Sequence, residues 1–197
     1  GEGGMITTNN FNLYKLSLEY RDHGHQNNPK FPRGRDTHRI YGFNFRTTEL
    51  NAVIGLEQLK KLKFIVKKNK KNYKVFFELL NKYDFIKFRK IPKFCEPLYD
   101  CVIFNLETKN KTSKFLNLMK KNNLITKNVP DAIEWHFAIY WDHIFKKYGY
   151  KRSDLKKKFI KSEDLLSRSI AIPIFIKESQ KNLFHRINKL KSILDNF

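Results

Sequence analysis

Hydrophobic residues recur every three or four positions over long stretches of this chain, a spacing typical of amphipathic helices. The pattern is clearest over residues 49–80, where Thr47 or Thr48 can cap a helix and Glu49 lies in its first turn. A globular helix is rarely this long, so the pattern predicts two helices with a bend near Leu62. A shorter helix is predicted over residues 11–24.

Short strand-like and helical runs alternate in the C-terminal part of the chain. The runs YDCVIFNLET, LITKNV and IAIPIF predict strands, as does MITTNN near the start of the chain. The segments SKFLNLMKKNN and SDLKKKFIKSEDLLSRS predict helices, and a final apolar stripe predicts a helix at the C-terminal end. This alternation after Pro92 indicates an α/β or α+β lobe.

The chain of 197 residues carries a formal net charge of +21, which raises the question of a nucleic-acid partner. Most of the basic residues are lysines spaced among apolar residues at helical intervals, so we interpret them mainly as solvated helix faces. The two cysteines, Cys95 and Cys101, indicate reduced thiols and a cytoplasmic protein. No apolar run is long enough to predict a membrane span, and we expect neither a membrane nor a nucleic-acid partner.

The residues alone reveal no catalytic motif. Ser167 and Ser169 lack the glycine pattern of a hydrolase nucleophile. The histidine pairs His23/His25 and His136/His143 have no carboxylate at a fixed spacing, so we predict no metal site.

Four segments occur in a distinctive order: GEGGMITT, RDHG, YGFNFRTTELNAVIGLEQLKKL and SIAIPIF. In this order they resemble the DegT/DnrJ/StrS family of sugar aminotransferases, which use pyridoxal phosphate. The resemblance implies an α/β fold, the C-terminal part of an aspartate-aminotransferase-like (fold type I) enzyme. Residues 1–62 would end the large domain, residues 63–90 would form a connecting helix, and residues 91–197 would form a small α+β C-terminal domain.

The same resemblance places the Schiff-base lysine just upstream of Gly1, so we assign no catalytic residue within this chain. We therefore expect the chain alone to be inactive, with a stand-alone pseudoenzyme as the alternative. Gly1, Gly3 and Gly4 would allow a close backbone path beside the cofactor.

The resemblance implies binding roles for two polar residues of the GFNFR segment, Asn44 and Arg46. Asn44 resembles the asparagine that reaches across a homodimer to the phosphate of the partner subunit's cofactor; alternatively, it caps the helix that begins near Thr47. Arg46 would bind an anion of the substrate or cofactor, or pair with a carboxylate such as Glu49.

Further substrate-binding residues are implied on two other segments. Arg33 and Arg35 lie in the long polar loop that resembles a family segment bordering the neighbouring active site. His136 and His143 lie where relatives carry a histidine-bearing stretch, and the aromatic residues around them form either a sugar-packing surface or core.

The resemblance implies a homodimeric enzyme that transfers an amino group, with glutamate as donor, to a keto-sugar of bacterial cell-surface polysaccharide or lipopolysaccharide. The polar loop and the histidine stretch look more like the branch that aminates the terminal carbon of the lipopolysaccharide octulosonate sugar than like the commoner nucleotide-sugar branch, which is the alternative. The competing interpretation is a non-enzymatic, basic nucleic-acid-binding module.

Overall fold

The N-terminal residues form one helix, a long polar loop and the start of a second helix. The computed structural model describes residues 3–197, and α1 spans Phe11–Tyr20. Asn10 begins α1, because its side-chain oxygen accepts from the backbone N–H groups of Asn12 and Leu13. Residues 5–10 form no strand, so that prediction was wrong.

Helix α2 runs without interruption over Glu49–Leu80. The two helices predicted to meet near Leu62 are therefore one, and no proline or glycine lies near Leu62 to bend it. Thr48 caps the helix, since its hydroxyl accepts from the backbone N–H of Asn51 at 3.2 Å. Several apolar residues of its first half are exposed: Leu50, Val53, Ile54, Leu56 and Leu59.

Three antiparallel strands form a sheet in the C-terminal residues. In the spatial order β1-β2-β3, they are Lys87–Phe88, Cys101–Asn105 and Ser169–Pro173. Buried side chains of β2 and β3 pack with two flanking helices, α3 at Lys109–Lys121 and α8 at Gln180–Asp195. The core contains Phe76, Leu80, Val102, Phe104, Phe115, Met119, Ile170, Ile172, Leu190 and Leu194.

The predicted strand over residues 124–129 is absent. Lys127 donates its backbone N–H to Ala171 at 2.8 Å, and Val129 accepts from Ala171 at 3.0 Å. Asn128 between them has φ 43°, a left-handed conformation that does not continue a strand. The segment therefore forms isolated backbone hydrogen bonds with β3 and no continuous strand pairing.

Short helices connect the sheet strands. They are α4 (Ile133–His136), α5 (Asp142–Phe145), α6 (Arg152–Lys158) and α7 (Ile160–Ser167). The helix predicted over residues 153–169 is therefore two helices interrupted at Phe159. Pro173 ends β3, as predicted for a residue that cannot donate to a sheet.

The chain divides into two compact units, Gly1–Leu62 and Lys63–Phe197. The three predicted domain ranges stay predictions. Across residues 3–197, none of the helices has both the length and the apolar character that a bilayer crossing requires.

Candidate active-site residues

Two glycines bring Asn44 close to Asp22 in the N-terminal unit. A side chain on Gly42 would lie 2.5 Å from the backbone nitrogen of Gly24, and one on Gly24 would lie 2.0 Å from the carbonyl oxygen of Ile40. Only glycine allows so close a backbone crossing. Backbone hydrogen bonds then align the two segments, from Phe43 to Tyr20 at 2.9 Å and from Phe45 to Arg21 at 2.8 Å.

Asp22 is the buried anion of this crossing. Arg33 donates to both of its carboxylate oxygens, at 2.8 and 2.7 Å, and the Nε atom of Arg46 lies 3.4 Å from the carboxylate. The pKa of Asp22 lies below its ordinary value, chiefly because Arg33 donates to the carboxylate and outweighs the opposing effect of burial. Asp22 therefore stays ionised and holds both arginines.

This ion pair alters the expected role of Arg33. Its guanidinium already shares its charge with Asp22, so it has less capacity for an external anion than the sequence suggests. Arg35, in a short 3-10 turn over Arg33–Arg35, has no carboxylate partner among residues 3–197. Within that part of the chain, Arg35 is the loop arginine more available to a ligand.

Asn44 is exposed, and its side-chain oxygen accepts from Nε of Arg46 at 3.0 Å. That bond orients the amide so that its NH2 group is left to donate. The alternative that Asn44 caps α2 is wrong, because Thr48 occupies that position. The carboxylate partner of Arg46 in the structure is Asp22, whereas the sequence suggested Glu49.

The long polar loop is held by a second acid, Asp36, whose side chain is only 3% exposed. Its carboxylate accepts from the backbone N–H groups of Asn27 at 2.7 Å, Asn28 at 3.1 Å and Thr37 at 2.8 Å. Burial raises the pKa of Asp36, but these three donors together hold it below its usual value. The imidazole of His25 also faces Asp36, at 3.6 Å from its carboxylate.

Sequence reasoning missed three acids whose side chains are buried, Glu19, Asp22 and Asp36. Glu19 accepts from Nε of Arg39 at 2.8 Å, so each acid fixes a basic or backbone group of the loop. The available signal was compositional, because 19 acidic residues are scattered among 40 basic ones and several flank the arginine-rich loop. Their burial could not be seen from that signal.

The predicted glycine path is only partly described. Gly1 lies outside the described residues, and a side chain on Gly3 or Gly4 would meet no atom within 4 Å. Nothing in residues 3–197 crowds these two glycines. The suggested close path beside a cofactor therefore stays a prediction.

The predicted histidines lie in the C-terminal unit, where the structure separates their environments. His143 lines an open depression of about 350 Å³ with Trp135, Tyr140 and Trp141. His136 is exposed at the end of α4 and does not line this depression. Both stay predicted substrate contacts, and of the two it is His143 that lines this depression with the aromatic rings.

One of the neighbouring aromatic residues, Phe137, belongs to the core, which is one of the two interpretations of this segment. Phe137 and Ile139 are buried with Leu155 in a small cluster. Trp135, by contrast, is 80% exposed. Across residues 3–197, no three His, Cys, Asp or Glu residues gather into a group suited to a metal ion.

A sequence profile of the DegT/DnrJ/EryC1/StrS aminotransferase family matches residues 1–191 of this chain. The chain belongs to this family. The resemblance inferred from the four sequence segments is thereby confirmed.

The curated relatives of this chain are longer proteins. An uncharacterized protein of Methanocaldococcus jannaschii is 28% identical over 204 residues, which cover 98% of this chain and 50% of the relative. The GDP-4-keto-6-deoxy-D-mannose 3-dehydratase of Yersinia pseudotuberculosis is 33% identical over 97 residues, which cover 43% of this chain and 25% of that enzyme. The chain thus spans half or less of the length of these relatives.

Two solved structures illustrate the fold that this chain shares. PseC of Helicobacter pylori, an aminotransferase involved in pseudoaminic acid biosynthesis, has a TM-score of 0.67 at 18% identity, covering 96% of this chain and 48% of PseC. NtdA of Bacillus subtilis, solved with bound cofactor PMP, has a TM-score of 0.68 at 18% identity, covering 95% of this chain and 41% of NtdA. These likenesses confirm the predicted α/β, fold type I class.

Aminotransferases of the DegT/DnrJ/EryC1/StrS family depend on pyridoxal phosphate. The side chains of the N-terminal unit fit one part of that group, its phosphate. Asn44 presents an exposed amide whose oxygen is engaged by Arg46, so its free NH2 group suits a phosphate oxygen. The ion pairs with Asp22 keep the neighbouring arginines in place.

Proposed function

We propose that the protein to which this chain belongs transfers an amino group from glutamate to a keto-sugar, with pyridoxal phosphate as cofactor. The observation that carries the proposal is the family match over residues 1–191. A relative named for its action on a GDP-linked keto-deoxy sugar supports a sugar substrate. When bound, the cofactor supplies the electron-accepting ring that transamination requires.

The residues of this chain have binding and positioning roles in the proposal. Asn44 donates from its amide to the cofactor phosphate, and Arg46 orients Asn44 by donating to the amide oxygen. Asp22 fixes Arg46 and Arg33 through its carboxylate. Because a neutral amide adds no charge, Asn44 suits a phosphate whose charge is balanced by other groups.

The proposed substrate is an anionic sugar of cell-surface polysaccharide or lipopolysaccharide, and the octulosonate sugar is its most specific candidate. Arg35 supports an anionic substrate, because its guanidinium is not engaged by a carboxylate within residues 3–197. His136 and His143 are the proposed hydrogen-bonding residues of the C-terminal unit.

The proposed enzyme is a cytoplasmic homodimer, and Asn44 serves the cofactor of the partner subunit. The free thiols of Cys95 and Cys101 support a reducing compartment. Gel filtration with light scattering tests the dimer: an active monomer would contradict the proposed sharing of the cofactor between subunits.

Transamination itself is tested on the full-length gene product. It is incubated with pyridoxal phosphate, glutamate and a panel of keto-sugars that includes the octulosonate aldehyde and nucleotide-linked 4-keto sugars. Mass spectrometry should show an amino-sugar and an equal amount of 2-oxoglutarate. Turnover of a nucleotide-linked sugar alone rejects the octulosonate proposal, and loss of water from the sugar without amine transfer rejects transamination.

Replacing Asn44 by alanine tests the phosphate contact. A hydrogen bond to a charged group contributes about 1.5–3 kcal/mol, so Asn44→Ala should weaken pyridoxal phosphate binding roughly tenfold or more. Asn110→Ala is the matched control, because Asn110 is an exposed amide in the first turn of α3. Equal cofactor affinity for both variants would contradict the role of Asn44.

A further inference from the structure

Residues 146–161 of the C-terminal unit form a basic surface segment, which we name the lysine segment. It contains eight basic residues and a single acid, and all of its residues are exposed except Leu155 and Phe159. We propose that the lysine segment docks the protein on an anionic lipid bilayer, where it lies on the membrane surface without crossing it. Such docking goes beyond the proposed function and does not depend on it. It also departs from the sequence-based expectation of no membrane partner, which rested on the lack of a spanning run.

Apolar side chains fasten the lysine segment to the rest of the unit from the inside. Leu155 is 2% exposed and belongs to the same small cluster as Phe137, and Phe159 packs against that cluster. Tyr150 meets the ring of Phe145 edge-on, with 6.1 Å between the ring centres. The packing of the segment therefore uses its apolar residues and leaves its cations on the surface.

Most of these cations have no carboxylate partner. Lys156 pairs with Glu163 at 3.5 Å, and Arg152 pairs with Asp142. The acid of the segment, Asp154, instead accepts a backbone N–H at the start of α6, at 3.0 Å. Within residues 3–197, no carboxylate lies within ion-pair distance of the other six cations, which are Lys146, Lys147, Lys151, Lys157, Lys158 and Lys161. Their charge is therefore available to an external anionic surface.

Two apolar side chains stand among the free lysines. Tyr148 is 73% exposed and follows two lysines directly, and Ile160 is 64% exposed between Lys158 and Lys161. A bilayer surface satisfies both kinds of group, because its anionic headgroups attract ammonium groups and its boundary with the acyl chains accepts tyrosine and aliphatic side chains. The combination of cations with exposed apolar residues therefore fits a lipid surface.

Nucleic acid is the competing polyanion. Its recognition favours arginine, whose planar fork binds phosphates and base edges, and the segment holds one arginine among seven lysines. That residue, Arg152, is engaged by Asp142 and lies 5.6 Å from the ring centre of Tyr140. An exposed Ile160 also gains little from a phosphate backbone. These features favour the bilayer, and DNA binding is an outcome of the test.

Sedimentation with vesicles tests the docking on the full-length protein. Vesicles of phosphatidylcholine are compared with vesicles in which phosphatidylglycerol replaces about a third of the lipid. At about 0.1 M salt, the protein should partition at least about tenfold more strongly onto the anionic vesicles, and about 1 M salt should weaken this binding because the Debye length falls from about 10 to about 3 Å. Absence of binding to the anionic vesicles, or equal binding to both kinds, overturns the inference.

The double variant Lys157→Gln/Lys158→Gln locates the surface. A lysine near an anionic bilayer strengthens binding about fivefold, so loss of both should lower the partition coefficient at least about tenfold. The matched control is Lys120→Gln/Lys121→Gln, which removes the same charge from two adjacent exposed lysines at the end of α3 and should leave binding nearly unchanged. Equal binding by the two double variants, each shown to be folded by circular dichroism, overturns the inference.

Ile160→Ser distinguishes a bilayer from a polyanion. Loss of the apolar side chain should lower binding to the anionic vesicles at least about threefold, whereas the control Phe184→Ser, at a residue of α8 that is 67% exposed, should not. Fluorescently labelled duplex DNA is titrated in the same buffer. Binding of DNA that depends on Lys157 and Lys158, without binding to the anionic vesicles, overturns the inference.

Enzyme assays on the full-length protein separate the docking from the proposed function. Lys157→Gln/Lys158→Gln should transaminate a soluble keto-sugar as fast as the wild type, because neither lysine has a role in the proposed chemistry. An active transaminase that stays in solution with the anionic vesicles would overturn the docking and leave the proposed function standing. Vesicle binding that depends on the two lysines, in a protein without transaminase activity, would do the reverse.

Discussion

Replacement of Asp22 by asparagine removes the charge that holds the polar loop of the N-terminal unit. Asp22 is only 5% exposed, and Arg33 donates to both of its oxygens. Asparagine has nearly the same shape but keeps a single oxygen acceptor, so it can preserve at most one of those two bonds. It also presents an NH2 group to a guanidinium that has no acceptor for it.

The cost follows from the number and type of bonds lost. A hydrogen bond to a charged group contributes about 1.5–3 kcal/mol to stability. The Arg33 side chain is 57% exposed and can regain water when the carboxylate is gone, so we expect the lower part of that range, about 2 kcal/mol. Such a loss corresponds to a roughly thirtyfold change in the local opening equilibrium.

Hydrogen exchange measures that local equilibrium. Peptides that contain the backbone N–H groups of His23, Phe43 and Phe45 should exchange about thirtyfold faster in Asp22→Asn than in the wild type, because these groups bond across the crossing. Mass spectrometry under conditions where reclosing is fast reports this ratio.

The matched control is Asp164→Asn. Asp164 also accepts two bonds from one arginine, Arg168, but its side chain is 61% exposed. Because solvent screens that pair, the exchange of the N-terminal peptides should stay unchanged. Unaltered exchange in Asp22→Asn, or an equal effect of Asp164→Asn, would refute the assignment of Asp22 as the organising anion.

Two further predictions concern the backbone crossing and an alkaline transition. Gly42→Ala should destabilise the N-terminal unit by about 2 kcal/mol, because the added side chain would lie 2.5 Å from the backbone nitrogen of Gly24. In the control Gly34→Ala the added side chain meets no atom within 4 Å, so the stability measured by urea unfolding and by hydrogen exchange should be unchanged. Equal effects of the two substitutions would contradict the crossing. The bond from Tyr83 to Asp195 at 2.5 Å raises the tyrosine pKa from 10.0 to about 12. Because the folded value is the higher one, this bond stabilises the fold fully below pH 10 and loses its effect as the pH rises through about 12. In a spectrophotometric titration, Tyr83→Phe should remove the phenol that titrates near pH 12, whereas Tyr73, whose pKa burial raises, should still titrate late. Loss of no late-titrating phenol in Tyr83→Phe would refute the prediction.

Local patterns were enough to place the four longest helices. The spacing of apolar residues located α1, α2, α3 and α8, because each buries or presents one stripe with a period near four residues. Strands β2 and β3 were also found, since their residues have β-branched or aromatic side chains and lie in the core.

The patterns failed at two places where the spacing of apolar residues does not record the backbone conformation. Residues 124–129 have strand-like composition, but Asn128 adopts a left-handed conformation and interrupts pairing with Ala171. The length of α2 was misjudged because helices this long are rare in globular proteins, which suggested a bend, although no residue near Leu62 requires one.

The sequence by itself determined the family, the class of fold and the candidate residues Asn44, Arg33, Arg35 and Arg46, because an ordered set of motifs survives in the linear pattern. Only the tertiary structure decided which of those side chains are free to bind. Asp22 neutralises Arg33, while Arg46 orients Asn44, and both effects arise from the crossing of segments that are far apart along the chain. The charge state and direction of a side chain depend on such neighbours, and a linear pattern does not record which residues folding brings within hydrogen-bond distance.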